Sequence, residues 1–544
     1  MHFIIDVELR YCTIKIVQDN ILKEQDTAKN VQAKEGSKMQ VFSDILKMAI
    51  ERSLNKFKEE TAENCAIKLN DLLADGQQGM EVKALSTEPQ RRIIESLFKV
   101  LFHQYSNSPK EFNIEDGHVN LLLPLFVQKI TVECVSEDLV QQIASDDKKP
   151  LHDEILDILT KKEPNNKTYN KNQNRTYGIH LFYYSPLEME KRSAFGLSED
   201  FDKIDLDDDE DTLRSIDQEI SAINIPFSNT TFGKTRISFL PSVNFDSLWE
   251  SLYFKDDIKQ RMFNYSTISL KVAKLSNQEA QHGYEDEQLM TNKLLLIHGP
   301  PGTGKTTLCR ALCQKLAIRN GSDLDNMDLV YKCILVEISS SSIFSRWFGE
   351  SAKNITTLFD DIEKLVREAE KKDIFVCVLI DEVEAIASSR TDILSKSEST
   401  DGVRVVNALL THLDKLKYYN NFLLLATSNL LDNIDSAFLD RADGIFHIGN
   451  PVEEAITKIL WTSIGELISA GIIIGYKSYR YILNSEIYKD IICTIAKNAN
   501  GRTLRKIPLL CLSEHFRDLP IHLDAFLVGL AHTVVALDKN ESDK

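Results

Sequence analysis

Nine consecutive residues, Gly299-Pro300-Pro301-Gly302-Thr303-Gly304-Lys305-Thr306-Thr307, have the types and spacing of a phosphate cradle. Glycines let successive backbone N–H groups turn toward one anion, and the positive end of a following helix adds its dipole. In this pattern Lys305 reaches the β- and γ-phosphates of a nucleoside triphosphate, and Thr306 holds a Mg²⁺ through its hydroxyl. The pattern carries that meaning only where it leaves a strand and opens a helix. Here the apolar run Leu294–Ile297 precedes it and a helical pattern begins near Thr306, so a triphosphate site is predicted.

Three further groups supply what hydrolysis needs. Val376-Cys377-Val378-Leu379-Ile380 is a buried-strand pattern that ends in Asp381-Glu382. At the C-terminal edge of a parallel sheet such a strand end lies beside the phosphate loop. Asp381 is placed to help hold the Mg²⁺, and Glu382 to polarise the attacking water. Phe422–Ala426 is followed by Thr427-Ser428-Asn429, whose amide can orient water against a γ-phosphate. Arg441, in Asp440-Arg441-Ala442-Asp443, has the chemistry to stabilise charge on a neighbouring subunit's γ-phosphate, and Arg502, in Asn500-Gly501-Arg502-Thr503, opens a helix that can reach the nucleotide in cis.

The elements that must position these groups read as follows. From Pro241 onward, apolar runs at Leu294–Ile297, Ile334–Ile338, Phe375–Ile380 and Phe422–Ala426 alternate with helical stretches. Continuous apolar strands of this kind belong in a parallel sheet covered by helices on both faces. After Pro451 the pattern turns all-helical, as a lid would. The run Ile521–Leu537 is interrupted by His522, Asp524 and His532 and reads as a packed terminal helix.

Upstream, Phe3–Val17 reads as one or two strands, a helix is expected around Phe42–Ile50, and Val119–Val127 is a further apolar run broken by Pro124. Pro164–Arg175 is rich in Asn, Lys and Gln, and Asp205–Asp211 is almost wholly acidic. Neither can bury enough apolar surface to offset chain entropy, so both are expected as linkers. The expected organisation is an α+β N-terminal domain over 1–160, a variable linker region over 161–240, a large α/β subdomain over 241–450 and a small helical lid over 451–544.

Composition narrows the function classes. With 43% hydrophobic and 27% charged residues the 544-residue chain reads as globular and multi-domain. A formal charge of −18 opposes a broad attraction to nucleic-acid phosphates. The nine cysteines form no C-x-x-C pair, which points to a reducing compartment and no zinc site. Cys309 and Cys313, one helical turn apart, are expected as buried packing. Met1–Asp6 lacks a basic region ahead of an apolar core, and no run reaches the roughly 20 residues of a membrane span. A soluble intracellular protein is expected.

In this order, the phosphate loop (Walker A), Asp381-Glu382 (Walker B), Asn429 (sensor 1), Arg441 (arginine finger) and Arg502 (sensor 2) resemble those of the AAA+ ATPases. Further stretches narrow the resemblance: Phe245-Asp246-Ser247-Leu248-Trp249-Glu250-Ser251-Leu252, Ser345-Arg346-Trp347-Phe348-Gly349-Glu350-Ser351, Asp440–Asp443 and Gly501–Pro508. These are similar to the pachytene checkpoint protein 2 / thyroid receptor-interacting protein 13 family over about residues 241–540; residues 1–240 add no independent match.

The resemblance implies an ATP- and Mg²⁺-dependent ring, a homohexamer, that partly unfolds HORMA-domain proteins, with an N-terminal domain that engages substrate or an adaptor. It implies a nuclear location, at meiotic chromosomes or the nucleolus, with chromatin reached through proteins and no membrane association. Trp347 and Phe348 occupy the family's pore-loop position, where an aromatic pair suits a non-specific grip on a chain. The Arg-x-Gly-Arg pattern of the broader group is absent after Arg441, where Ala442-Asp443-Gly444 follows, in agreement with the narrower family. Two other readings fit the same ATPase core: a DNA-dependent motor or clamp loader, which the acidic charge disfavours, and an ATP-bound chromatin scaffold, which would require a lost catalytic residue.

Overall fold

The computed structural model describes residues 2–9, 65–67, 127–135, 178–186, 231, 234–254, 257–280, 293–320, 331–340, 350–388, 400–474 and 500–542. The expected helix at Phe42–Ile50, both inserts (Pro164–Arg175 and Asp205–Asp211) and the aromatic pair Trp347-Phe348 lie outside these residues. The chain divides into two units: residues 1–186 with 318–330, and residues 187–317 with 331–544. Among the described residues, no helix is long and apolar enough to cross a membrane.

The first unit holds a four-stranded sheet of β1 (His2–Leu9), β2 (Cys65–Ile67), β3 (Val127–Val135) and β4 (Gly178–Tyr184), in the order β2-β3-β1-β4. β1 runs antiparallel to β3 and parallel to β4. Ile5, Val7, Leu9, Val127 and Ile130 are buried, and so are the carboxylates of Asp6 and Glu8. A buried carboxylate needs partners. Asp6 receives two hydrogen bonds from Arg319 at 3.1 Å, and Glu8 one from the Tyr184 hydroxyl at 3.4 Å.

The second unit is built on a six-stranded sheet. Its strands are β5 (Thr235–Leu240), β6 (Leu294–His298), β7 (Cys333–Ser339), β8 (Phe375–Asp381), β9 (Phe422–Ser428) and β10 (Gly444–His447), in the order β10-β6-β9-β8-β7-β5. The five strands β6 to β10 are mutually parallel, and β5 pairs antiparallel with β7 from Thr235↔Ile338 to Leu240↔Cys333. The four strands predicted from continuous apolar runs are therefore the sheet's centre. Each fully buried Leu or Ile in them contributes roughly 1.5–3 kcal/mol. Between the strands lie α1 (Ile258–Ala280), α2 (Lys305–Asn320), α3 (Glu350–Glu370), α4 (Thr400–Leu416) and the short α5 (Ser436–Leu439).

A second core belongs to the lid, formed by α6 (Glu453–Ser469), α7 (Gly501–His515) and α8 (Leu523–Ser542). Trp461, Leu504, Cys511 and Phe526 are buried in it.

The expected α/β fold is the one observed, with β5, from the segment before the α/β repeat, added antiparallel at one edge of the parallel strands. Two expectations need correction. Two strands fall inside the 161–240 stretch expected as linker: β4 (Gly178–Tyr184) completes the first sheet and β5 (Thr235–Leu240) the second. The lid is not wholly helical, since Ile473–Ile474 and Ile521–His522 pair as two short parallel strands; two-residue strands leave no periodic signal.

Candidate active site

The phosphate loop leaves the sheet abruptly. Gly299 N–H donates to Ser428 O at 3.2 Å, and Ile448 N–H donates to His298 O at 2.8 Å, so β9, β6 and the chain after β10 close around the turn. Gly299 has φ +147°, and a Cβ there would lie 2.0 Å from Ile448 O. Gly302 and Gly304 also have positive φ, +80° and +95°, the conformations that turn backbone N–H groups inward. α2 then begins at Lys305, one residue before the predicted start.

The functional side chains meet at the C-terminal edge of β6, β8 and β9. Lys305 is buried, and its Nζ donates to Gly299 O, Pro300 O and Asn429 Oδ1, each at 2.8 Å. The Thr306 hydroxyl donates to Asp381 Oδ1 at 2.8 Å, and the Thr427 hydroxyl donates to the same oxygen. Thr427 Oγ1 in turn accepts from Glu382 N–H at 3.2 Å. Glu382 itself is exposed and sits in the left-handed region (φ 55°, ψ 53°), a conformation that costs a non-glycine residue on the order of 1–3 kcal/mol.

Burial holds the Lys305 ammonium below its ordinary pKa; Glu384, Asp381 and Glu382 push it back up, while Arg502 lowers it further. His298, at the end of β6, is also held down, first by burial and then by His447 and Lys305; the two imidazoles stand 4.9 Å apart.

These groups border a cavity of about 810 Å³ within the second unit. Its lining includes Pro301–Thr307, Asp381, Glu382 and Asn429, together with Tyr253, Phe254, Ile448 and Ile459. Gly299 and Pro300 are not among the lining residues and contribute their carbonyls to Lys305. A cleft lined by both charged and apolar side chains suits a base joined to a phosphate chain. Thr306 Oγ1 and Asp381 Oδ1 are hard oxygen donors side by side, which fits a Mg²⁺ shared with substrate phosphates.

The lid reaches the same cavity. Asn500 caps α7 by accepting from Thr503 N–H at 2.8 Å, and Arg502 in the first turn lines the cavity with Arg505 and Lys506. The approach is close: a Cβ on Gly302 would lie 3.1 Å from the Asn500 side chain and 3.3 Å from Arg502 Cβ.

Arg441 stands apart from this constellation. Its Nε and Nη2 donate to the two carboxylate oxygens of Asp414 at 2.9 and 2.8 Å, and its Nη1 donates to Ala437 O at 2.8 Å.

A family model described as "ATPase family associated with various cellular activities (AAA)" matches residues 295–450, the span from β6 to just past β10. Pachytene checkpoint protein 2 of Saccharomyces cerevisiae is 42% identical over 553 aligned positions, covering 98% of each chain. The chain belongs to the pachytene checkpoint protein 2 family of AAA ATPases. The homolog of Arabidopsis thaliana is 44% identical over 294 positions, half of this chain and 60% of that one. The solved structure of C. elegans PCH-2 shares the fold, with a TM-score of 0.52 at 24% identity over 84% of this chain and 97% of that one.

Two residues of the site, Glu384 and Arg310, and the partner of Arg441, Asp414, were not singled out from sequence. Glu384 Oε1 accepts the backbone N–H of Asn429 at 3.0 Å, while its Oε2 is buried without a hydrogen-bond partner among the described residues. Its one signal is a position two residues beyond Glu382. Arg310 lines the cavity and is held by Glu337 Oε2 at 2.6 and 3.1 Å. Asp414 looks in sequence like any acid on the polar face of an amphipathic helix.

Proposed function

We propose that this chain hydrolyses ATP with Mg²⁺ and uses the cycle to remodel HORMA-domain proteins as a ring, a homohexamer, in the nucleus. The observation that carries the ATPase part is the linked set Lys305–Asn429 and Thr306–Asp381–Thr427, all at one sheet edge and beside the helix dipole of α2.

The division of labour follows from the chemistry of each group. Lys305 and the N–H groups of the glycine turn bind the phosphate chain, and Arg502 adds a cation from the lid. Thr306 and Asp381 would hold the Mg²⁺, which when bound neutralises charge on the phosphates. Glu382 takes the proton of the attacking water, and Asn429 orients that water. Arg441 lies outside its own cavity, which supports a role on the site of an adjoining subunit.

Family membership supports the remodelling part, with chromosome axis control and meiotic checkpoint signalling as its setting and an adaptor as a further partner. Trp347 and Phe348 are assigned the grip on substrate. The test is an ATPase rate measured alone, with a HORMA-domain protein and with DNA. Stimulation by the HORMA protein and loss of turnover in Glu382→Gln are expected. Stimulation by DNA alone would support the motor reading instead, and an unimpaired Glu382→Gln would overturn the catalytic assignment.

A further inference from the structure

We infer that Asp414 is the positioning residue of Arg441: it holds the guanidinium in the plane and direction in which a neighbouring copy's triphosphate receives it. This rests on the reading of Arg441 as a group acting across a subunit boundary.

The argument begins with the length of the side chain. An arginine on a surface carries about 2 kcal/mol of rotamer entropy, and a charge that must meet a transition state cannot sample that freedom without loss of rate. Arg441 follows the four-residue helix α5, too short to fix it by packing. Its side chain is 28% exposed, and what restrains it is polar. Asp414, in the last turn of α4, takes Nε and Nη2 as a bidentate pair, and Ala437 O takes one hydrogen of Nη1.

A guanidinium has five N–H donors. Three are engaged by the described residues, which leaves one on each terminal nitrogen for a further acceptor, the role the neighbouring copy's triphosphate would fill. A bidentate carboxylate fixes the plane of the guanidinium as well as its position. The charges respond to each other as the geometry requires: the hydrogen bonds to Arg441 lower the Asp414 pKa, and those to Asp414 raise that of Arg441. α5 supplies the second anchor. Its cap Asp435 is buried and accepts from Ala437 N–H at 3.0 Å, which fixes the residue whose carbonyl holds Nη1.

The ordinary alternative is a surface ion pair with no functional consequence, since such pairs contribute little to stability. The two readings differ in where a defect appears. If Asp414 matters only locally, its loss affects nothing in a neighbouring copy. If it aims Arg441, its loss slows the neighbour's site while its own nucleotide binding is unchanged.

The experiment mixes parent full-length subunits with an excess of carrier subunits silenced by Glu382→Gln, under conditions of subunit exchange, and measures ATP turnover per parent subunit. Carriers are Glu382→Gln alone, or with Arg441→Ala, Asp414→Ala, Asp414→Asn or Asp414→Glu. Co-elution with parent subunits and nucleotide affinity are measured for each. With Arg441→Ala carriers, turnover in the parent subunits is expected to fall by about 100-fold or more. With Asp414→Ala and Asp414→Asn carriers a fall of about tenfold in kcat at unchanged KM is expected, and Asp414→Glu should recover part of it. Should Asp414→Ala carriers fail to assemble, the isosteric Asp414→Asn decides alone. If Arg441→Ala carriers suppress and both Asp414 carriers do not, this inference is overturned and the trans role of Arg441 stands. If Arg441→Ala carriers do not suppress, the trans role itself is wrong. A rise in turnover with Asp414 carriers would also overturn it, because it would make Asp414 a restraint that competes for Arg441.

Discussion

Lys305 and Asn429 meet across the ends of β6 and β9, with the ammonium Nζ 2.8 Å from the amide Oδ1. The contact joins the group expected to bind phosphate to the group expected to orient water. It does so through neighbouring parallel strands, in which His298 pairs with Ser428 as the last rung of the ladder. Lys305 has two further acceptors, Gly299 O and Pro300 O, each also at 2.8 Å. Asn429 is therefore one of three acceptors that hold the ammonium, and its removal leaves the lysine anchored.

Substitutions at the two positions should accordingly separate binding from turnover. Lys305→Ala removes the buried cation and is expected to abolish measurable nucleotide binding. Asn429→Ala should leave the nucleotide Kd within about tenfold of the parent while kcat drops by about 10²–10³, the usual cost of losing one preorganised polar group. Equilibrium binding of a fluorescent nucleotide and steady-state hydrolysis measure the two quantities on the same preparations.

Glu384 should act through Asn429. Because its Oε1 accepts the Asn429 backbone N–H at 3.0 Å, it fixes the point at which β9 ends. Glu384→Gln keeps an acceptor oxygen and is expected to retain kcat within a few-fold. Glu384→Ala leaves that N–H without its partner and should lower kcat by about tenfold or more at similar KM. Equal loss in both variants would assign the effect to charge near Lys305 instead, through the attraction that raises the lysine's pKa.

The parts legible in the sequence are those set by short-range rules. Four central strands showed as unbroken apolar runs because a parallel strand is covered on both faces, and the glycine spacing marked the turn that Gly299, Gly302 and Gly304 make. Lys305, Thr306, Asp381 and Asn429 come together because each stands at the same end of a parallel strand or just beyond it. What escaped notice depends on tertiary geometry. β5 reads as an ordinary short segment until β7 offers it an edge. Asp414 is 27 positions from Arg441, and nothing in the helix pattern of Thr400–Leu416 says which of its polar residues has a charged partner.

Nucleotide affinity and folding stability should respond to alkaline pH in different ways. Lys305 must be protonated to hold phosphate, and burial lowers its pKa, so affinity should begin to fall below the ordinary lysine value of 10.5. Stability is governed by more groups. The thiols of Cys309, Cys313, Cys333 and Cys377 are all fully buried, and burial raises each above 9.0. Above pH 9 the unfolded chain therefore releases thiol protons that the folded chain retains, and stability falls as pH rises. Lys293 works in the opposite sense: burial lowers it to about 8, so between that value and 10.5 the unfolded chain holds the extra proton and stability rises with pH. Cys511 adds a fifth thiol, pushed up to about 11 by burial, and five thiols against two depressed lysines should leave a net decline above pH 9. Denaturant unfolding between about pH 8 and 10.5 measures the slope, and a Lys293→Met variant should decline more steeply than the parent.

Two glycines should respond to alanine in opposite directions. At Gly299 a Cβ would lie 2.0 Å from Ile448 O, a backbone atom that the Ile448 N–H bond to His298 O keeps in place, and φ is +147°. Neither the clash nor the backbone conformation can be relieved by a side-chain rotation, so Gly299→Ala should either fail to fold or lose nucleotide binding outright. Gly465 lies inside α6, where a Cβ would meet nothing within 4 Å and φ is not positive. There alanine only restricts the unfolded chain and favours the helix, so Gly465→Ala should stabilise the protein by about 0.5–1 kcal/mol. Thermal unfolding of both variants, with nucleotide titration of whichever folds, checks the pair. A Gly299→Ala protein that binds nucleotide like the parent would mean that the loop and the chain after β10 separate more easily than the two hydrogen bonds closing the turn suggest.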